Sequence, residues 1–340
     1  MTDYLPILRS RVAEIRGLRE LPGADLKKLF PVIELTRSRR TPKNAGGDVA
    51  KSVELVSEVL DGAPFVADLT SLESLQNSEF DRLLDDTAGF KAWTDFAHAN
   101  LPTNCVPMVH LLEPFELQPF LTQVGRLREK FHRVAVRIPT SYRDFDAFTA
   151  ALTGLVGFRD VVVILDAGFI TRATINGAAA RLVEMLNSVG NLGLRHLSVA
   201  SSSFPNSVVS AGGGDDTGEF RLLEVDLGNW CRTHFPGVSY GDYAAIHPMD
   251  FKGTVTNWVP RVDVMLDESF YYYRYRRSDG GYIRAAKDAR ADGRYVTLKC
   301  WAHDNIDAAA AGNPPGRSPS FWIANRVNFH LARQISRLGL

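Results

Sequence analysis

FVADLT, residues Phe65–Thr70, is a short apolar run that ends on a carboxylate. Two other stretches have the same form: PVIELT at Pro31–Thr36, ending on Glu34, and VVVILDAG at Val161–Gly168, carrying Asp166. A buried strand that releases an acidic side chain at its C-terminal end is how a parallel α/β sheet or barrel builds a pocket. Finding the motif three times in one chain asks for several parallel strands with one shared polar rim.

Reading outward from Phe65 gives the remaining strands. Upstream, Tyr4–Leu8 is a strand that delivers Arg9. The helical spacing over Glu14–Phe30 is broken by Pro22-Gly23. Asp48 is placed to cap a helix over Val49–Leu60. Downstream, Ser71–Ala99 is mostly helical, and Cys105–Leu111 is a strand that presents His110. Arg133–Ile138 presents Arg137, Asp160–Asp166 presents Asp166, His196–Ala200 opens into Ser201, and Gly237–Asp242 ends on Asp242. Helical segments fall between these strands, including one around Asp144–Val156. Eight strands alternating with helices specify parallel pairing with right-handed crossovers. Eight also closes a barrel, and no glycine-rich dinucleotide fingerprint follows the first strand. The expected fold is α/β, a (β/α)8 TIM-barrel-like architecture.

Beyond Asp242 the pattern changes. Val255–Val264, Phe270–Tyr275 and Tyr295–Trp301 read as strands, with turns at Ser278–Gly281 and Asp292-Gly293. This predicts a β-rich insertion before the last helix. The expected division is a barrel over 1–253, the insertion over 254–311, and a linker with a closing helix over 312–340.

The 340 residues are 45% hydrophobic and 23% charged, with 39 Lys+Arg against 39 Asp+Glu. Such a balance provides no net field toward nucleic acid or anionic membrane. The cysteines, Cys105, Cys231 and Cys300, are odd in number and widely spaced, which fits a reducing cytoplasm better than a disulfide framework. No apolar run approaches the ~20 residues that span a bilayer. A soluble, cytoplasmic protein is expected.

Several stretches in this order resemble the beta-family proteins, taken as a phage T4-type family found in phages, prophages and bacterial genomes. They are YLPILRSR with LREL, PVIELT, SSSFP, GDYAAIHP, the aromatic YYYRYRR run and a Trp-containing terminal helix. The resemblance spans nearly the whole chain. It implies a barrel-like α/β fold and carries no assigned activity. Some related proteins look like parts of mobile or anti-phage gene clusters, which implies an interaction role. Relatives carry paired histidines in the last helix, where this sequence reads Asn328-Phe329-His330.

In a barrel, the C-terminal strand ends converge whatever their separation in sequence. The candidate mouth is therefore Arg9, Glu34, Asp68, His110, Arg137, Asp166, Ser201 and Asp242. Three chemistries fit these residue types. Glu34, Asp68 and Asp166 could hold Mg2+ or another divalent cation that activates water. Two carboxylates and His110 could act as acid and base in hydrolysis or lyase-type chemistry. Arg9 and Arg137, with Ser201 and Asp242 beside them, could grip an anionic small molecule. Against all three stands a satisfied polar plug with no turnover.

A second candidate surface is the strip Tyr271, Tyr272, Tyr273, Arg274 and Arg276. It suits a protein partner, a second copy of the chain, or the insertion's own core. The same strip could stack single-stranded nucleic acid, which the neutral charge disfavours. The run Gly212-Gly213-Gly214 lacks the lysine of a phosphate-binding P-loop.

Overall fold

The structure, a computed structural model, describes residues 4–154, 160–190, 192–250 and 258–340. Eleven strands are found among them: β1 (Tyr4–Arg9), β2 (Val32–Leu35), β3 (Phe65–Leu69), β4 (Cys105–Pro107), β5 (Val134–Pro139), β6 (Val161–Phe169), β7 (His196–Ser202), β8 (Thr217–Arg221), β9 (Val238–Asp242), β10 (Arg261–Met265) and β11 (Ser269–Arg274). Eight of them form one parallel sheet in the order β4-β3-β2-β1-β9-β7-β6-β5. The two ends of this order meet through a parallel bridge between Met108 and Ala135, with the Val109 N–H donating to the Ala135 carbonyl at 2.7 Å. The fold is a (β/α)8-type barrel, as the recurring strand motif predicts, and β9 is its eighth strand.

Period-two alternation sorts each strand's side chains. Inward, Ile7, Val32, Val66, Val106, Ala135 and Ile164 belong to one interior cluster. Outward, residues such as Ile33, Phe65, Val136 and Val163 pack beneath the helices in the larger core. The register aligns Arg9 with Glu34 and Glu34 with Asp68, so their inward side chains share one level at the C-terminal rim.

Seven helices follow the first five barrel strands: α1 (Val12–Arg19), α2 (Gly23–Leu26), α3 (Val49–Leu60), α4 (Ser78–Leu83), α5 (Thr87–Asn100), α6 (Leu117–Arg128) and α7 (Phe145–Gly154). They are joined by α8 (Ile175–Gly190) and α9 (Leu223–His234). The Asp48 carboxylate caps α3 by accepting from the amides of Ala50 and Lys51. The expected end of α7 at Val156 lies outside the described residues.

Between β9 and the last helix are β10, β11, α10 (Gly281–Ala291) and α11 (Trp301–Ala310). Residues 251–257, which include the start of the expected strand at Val255, lie outside the described residues. The strand expected at Tyr295–Trp301 is corrected: residues 295–299 are irregular and Trp301 opens α11. The reason is a pairing partner that sequence did not show. The open edge of β11 is taken by β8, donated by the loop after β7, giving an antiparallel sheet in the order β10-β11-β8. The Gly-rich stretch after β7 therefore leads into a strand ahead of α9. The last helix, α12 (Pro319–Leu338), is capped by Ser318 and packs against α1, α11 and β10.

Candidate functional site at the barrel mouth

Arg137 projects inward from β5, and the acids of three other strands turn to it. Its Nη1 lies 2.8 Å from Glu34 Oε1, and its Nη2 lies 2.9 Å from Asp68 Oδ2. Asp166 Oδ2 is farther away, at 4.0 Å. Arg9 completes the ring, with its Nε 3.5 Å from Glu34 Oε2 and its Nη2 donating to the His247 carbonyl at 2.8 Å. All five side chains are largely shielded from water: Glu34 is 5% exposed and Arg137 14%. Charge in so dry a place is tolerated only because each member faces an opposite one.

The different distances split the carboxylates into two electrostatic states. Burial by itself raises Asp68, but the adjacent Arg137 guanidinium and then His110 outweigh it and hold Asp68 below the usual carboxylate range. Burial raises Asp166 too, and the more distant Arg137 does not cancel the effect, so Asp166 stays above that range. The Tyr243 hydroxyl donates to the same Asp166 oxygen, Oδ2, at 2.5 Å, while the Gly168 amide donates to Oδ1 at 2.8 Å. Tyr243 is pushed well above its ordinary value, first by burial and then by Asp166.

His110 sits just past β4. Its backbone is gripped at both ends by Gln123, which accepts from the His110 amide at 2.8 Å and donates to its carbonyl at 3.0 Å. Trp93 stacks on the imidazole at 5.3 Å, and Phe90 meets it edge-on at 5.4 Å. Nε2 points toward Asp68 Oδ1 at 3.7 Å, too long for a hydrogen bond, and neither ring nitrogen has a hydrogen-bond partner among the described residues. The backbone here is strained. Ala88 and Phe90 on one side of the mouth, and Ala244 and Ala245 just past Tyr243, all adopt left-handed φ values between 47° and 59°. For non-glycine residues such conformations cost roughly 1–3 kcal/mol each and persist where surrounding structure enforces them.

Two candidates are not at this mouth. Asp242 and Ser201 are paired in register, one residue out of phase with the inward Gly241 and Ala200. They face the helices, so their expected place in the pocket is corrected. Asp242 is fully buried and accepts from the Tyr4 hydroxyl at 3.0 Å and the Ala244 amide at 2.9 Å, and its Oδ2 lies 2.7 Å from His330 Nε2. The residue that sequence reading missed is Tyr243. The alternation that selects Glu34 and Asp68 would have preferred Tyr243 over Asp242 had the inward parity of that strand been known.

The aromatic strip is corrected as an open surface. Tyr271 and Tyr272 are fully buried, and their hydroxyls donate to the carbonyls of Ala289 and Gly214. Tyr273 is half-buried and donates to Asp292, and Arg274 reaches back to Asp215. Only Arg276 of the five is exposed. A divalent cation also finds a poor donor set, because Glu34 and Asp68 each commit an oxygen to Arg137. Among the described residues no group of three or more His, Cys, Asp or Glu is arranged to hold a metal ion.

With this geometry in view, comparison with known proteins is informative. Residues 4–336 match the family described as Beta protein. The chain belongs to the Beta protein family. It is 29% identical over 338 residues to Protein beta of Enterobacteria phage P4, covering 98% of this chain and 93% of that protein. That relative comes from phage P4, where the sequence resemblance pointed to T4. Membership spans the barrel strands, the small sheet and α12 alike, so the mouth lies within the family's matched region. No helix among the described residues is long and apolar enough to cross a membrane.

Proposed function

We propose that the barrel mouth is an acid–base active site that carries out hydrolysis or lyase-type chemistry on a small neutral polar molecule. The observation that carries this reading is the unequal placing of two buried carboxylates around one guanidinium: Asp68 lies 2.9 Å from Arg137, which holds it low, and Asp166 lies 4.0 Å away, where burial leaves it high. Paired titratable groups whose surroundings push them apart are how one site supplies both a base and an acid. In this reading Asp166 delivers a proton, with the Tyr243 hydroxyl fixing its Oδ2. Asp68 accepts one, with His110 poised beside it as the relay to substrate. Glu34, Arg137 and Arg9 hold the two carboxylates in place.

The charge count argues against the anionic substrate that two arginines suggest. With Asp166 carrying its proton, Glu34 and Asp68 already balance the two guanidiniums, and both terminal nitrogens of Arg137 face acids. An incoming anion would have to displace a buried carboxylate. A polyol or sugar-like hydroxyl compound would instead meet acceptors and donors already oriented, and the strained Ala244–Ala245 turn supports a mouth organised for more than packing.

A thermal-shift screen of neutral polyols, sugars, amines and small anions tests the reading, using wild type, Asp166→Asn and Tyr243→Phe. A neutral ligand should stabilise wild type, lose its effect in Asp166→Asn, and be converted to product when incubated with wild type and followed by NMR. Stabilisation by anions alone, abolished in Arg137→Lys and retained in Asp166→Asn, would overturn it.

A further inference from the structure

At the opposite end of the barrel a cavity of about 330 Å³ opens onto the N-terminal strand ends. Volumes of this order hold small organic ligands. Its walls are of two kinds. Leu29, Phe30 and Pro64, ahead of β2 and β3, make an apolar side. Lys27, Arg133, Arg195 and His196, most of them at the start of β5 and β7, make a cationic one.

Strand parity explains why the charge collects there. His196 pairs in register with the inward Val162. Arg133 precedes β5 in phase with the inward Ala135 and Arg137, and Phe30 belongs to the interior cluster. The bottom layer of the barrel is thus closed by an aromatic ring on one side and left basic on the other. Three fixed cations face a single carboxylate, Asp160, and that carboxylate is 3.9 Å from Arg195. Among the described residues neither Lys27 nor Arg133 has an ion-pair partner. Burial and then the Arg133 charge hold His196 below its ordinary range, the response of an imidazole in surplus positive charge. A stabilising role alone would call for matched charges or an apolar plug at this end.

We propose that this basal cavity is a binding site for an organic phosphate of mononucleotide size. Its phosphate would lie against Arg133, Lys27 and His196, and its planar body against Phe30, Leu29 and Pro64. Arginine and lysine supply the charge-assisted hydrogen bonds that phosphate oxygens accept, and the apolar wall rewards a ligand that is more than a bare ion. The site stands at the far end of the strands from Asp166 and is independent of any chemistry at the mouth.

Isothermal titration with AMP, adenosine and inorganic phosphate at low salt tests the assignment on the full chain. AMP should bind wild type at least about tenfold more tightly than either fragment, the equivalent of one lost contact of ordinary strength. Binding should weaken as salt rises, weaken about tenfold or more in Arg133→Met and in Lys27→Ala, and persist in Asp166→Asn at the other end. Lys27 is exposed, so its variant tests the site without disturbing the barrel. No AMP binding to wild type, equal binding of inorganic phosphate, or AMP binding unchanged in both cavity variants would overturn the proposal. Loss of AMP binding in folded Asp166→Asn would overturn it as well, by moving the ligand to the mouth.

Discussion

Asp242 and Asp68 show how the same residue type at the end of a strand takes different work from its neighbours. Asp68 faces inward and shares Arg137 with Glu34. Asp242 faces outward and meets His330, with both side chains fully buried. Burial pushes Asp242 up, but His330, by charge and hydrogen bond, holds it below its ordinary value. A carboxylate lowered in the folded state contributes stability above its unfolded value of about 3.9, and that contribution is lost as pH falls through the folded value. Replacing His330 with Leu leaves a buried charge without its partner and should cost about 3–5 kcal/mol near pH 7. In urea unfolding, the gap from wild type should narrow as the pH falls through the lowered folded value of Asp242, below which the carboxyl is protonated in both proteins. A gap that stays constant over that fall would mean that the pair contributes through packing alone.

At the level of elements, the contact between α1 and α12 shows how tightly the last helix is set. A Cβ on Gly17 would stand 2.7 Å from Val327 Cγ1 and 2.8 Å from the Ala324 carbonyl oxygen. Asn328 fastens the same point by donating to the Gly17 carbonyl at 3.0 Å. The two helices touch backbone to side chain with no room for a methyl group. Gly17→Ala should therefore lower stability by about 1–3 kcal/mol, read as a fall in melting temperature, although alanine is the better helix former. An unchanged or raised melting temperature would show that α12 can slide away from α1. The small sheet is set in a similar way. Tyr272 lies across Gly213 and Gly218, where an added Cβ would come within 2.4 Å and 2.9 Å of its hydroxyl oxygen. That packing is what turns the aromatic strip into a core.

For the molecule as a whole, barrel closure is uneven. Strands β5, β6 and β7 are paired over long registers, whereas β4 and β5 meet at the single Met108–Ala135 bridge and the Val109 amide. Local opening follows the weakest ladder. Native-state hydrogen exchange should show the Val109 amide exchanging well before those of Val163 and Val199. Equal protection across all eight strands would mean that the barrel opens only by global unfolding. The two ends also differ in charge, with cations matched by carboxylates at the mouth and surplus cation at the base. The two proposed ligands are accordingly of different classes.

The sequence alone determined the repeated unit. Apolar runs of strand length ending on Glu34, Asp68 and Asp166, spaced by amphipathic helices, leave few arrangements other than a parallel barrel. Those three acids and Arg137 meet because alternation and chain direction are local properties, legible in each strand separately. The tertiary structure decided what depends on partners distant in sequence. Whether Asp242 or Tyr243 faces inward depends on register with β1 and β7. Whether residues 295–301 form a strand depends on an edge that β8 had already filled. Whether Arg137 is free for a ligand depends on acids contributed by three other strands. Pairing and charge compensation are sums over neighbours, and a linear chain does not name its neighbours until it closes.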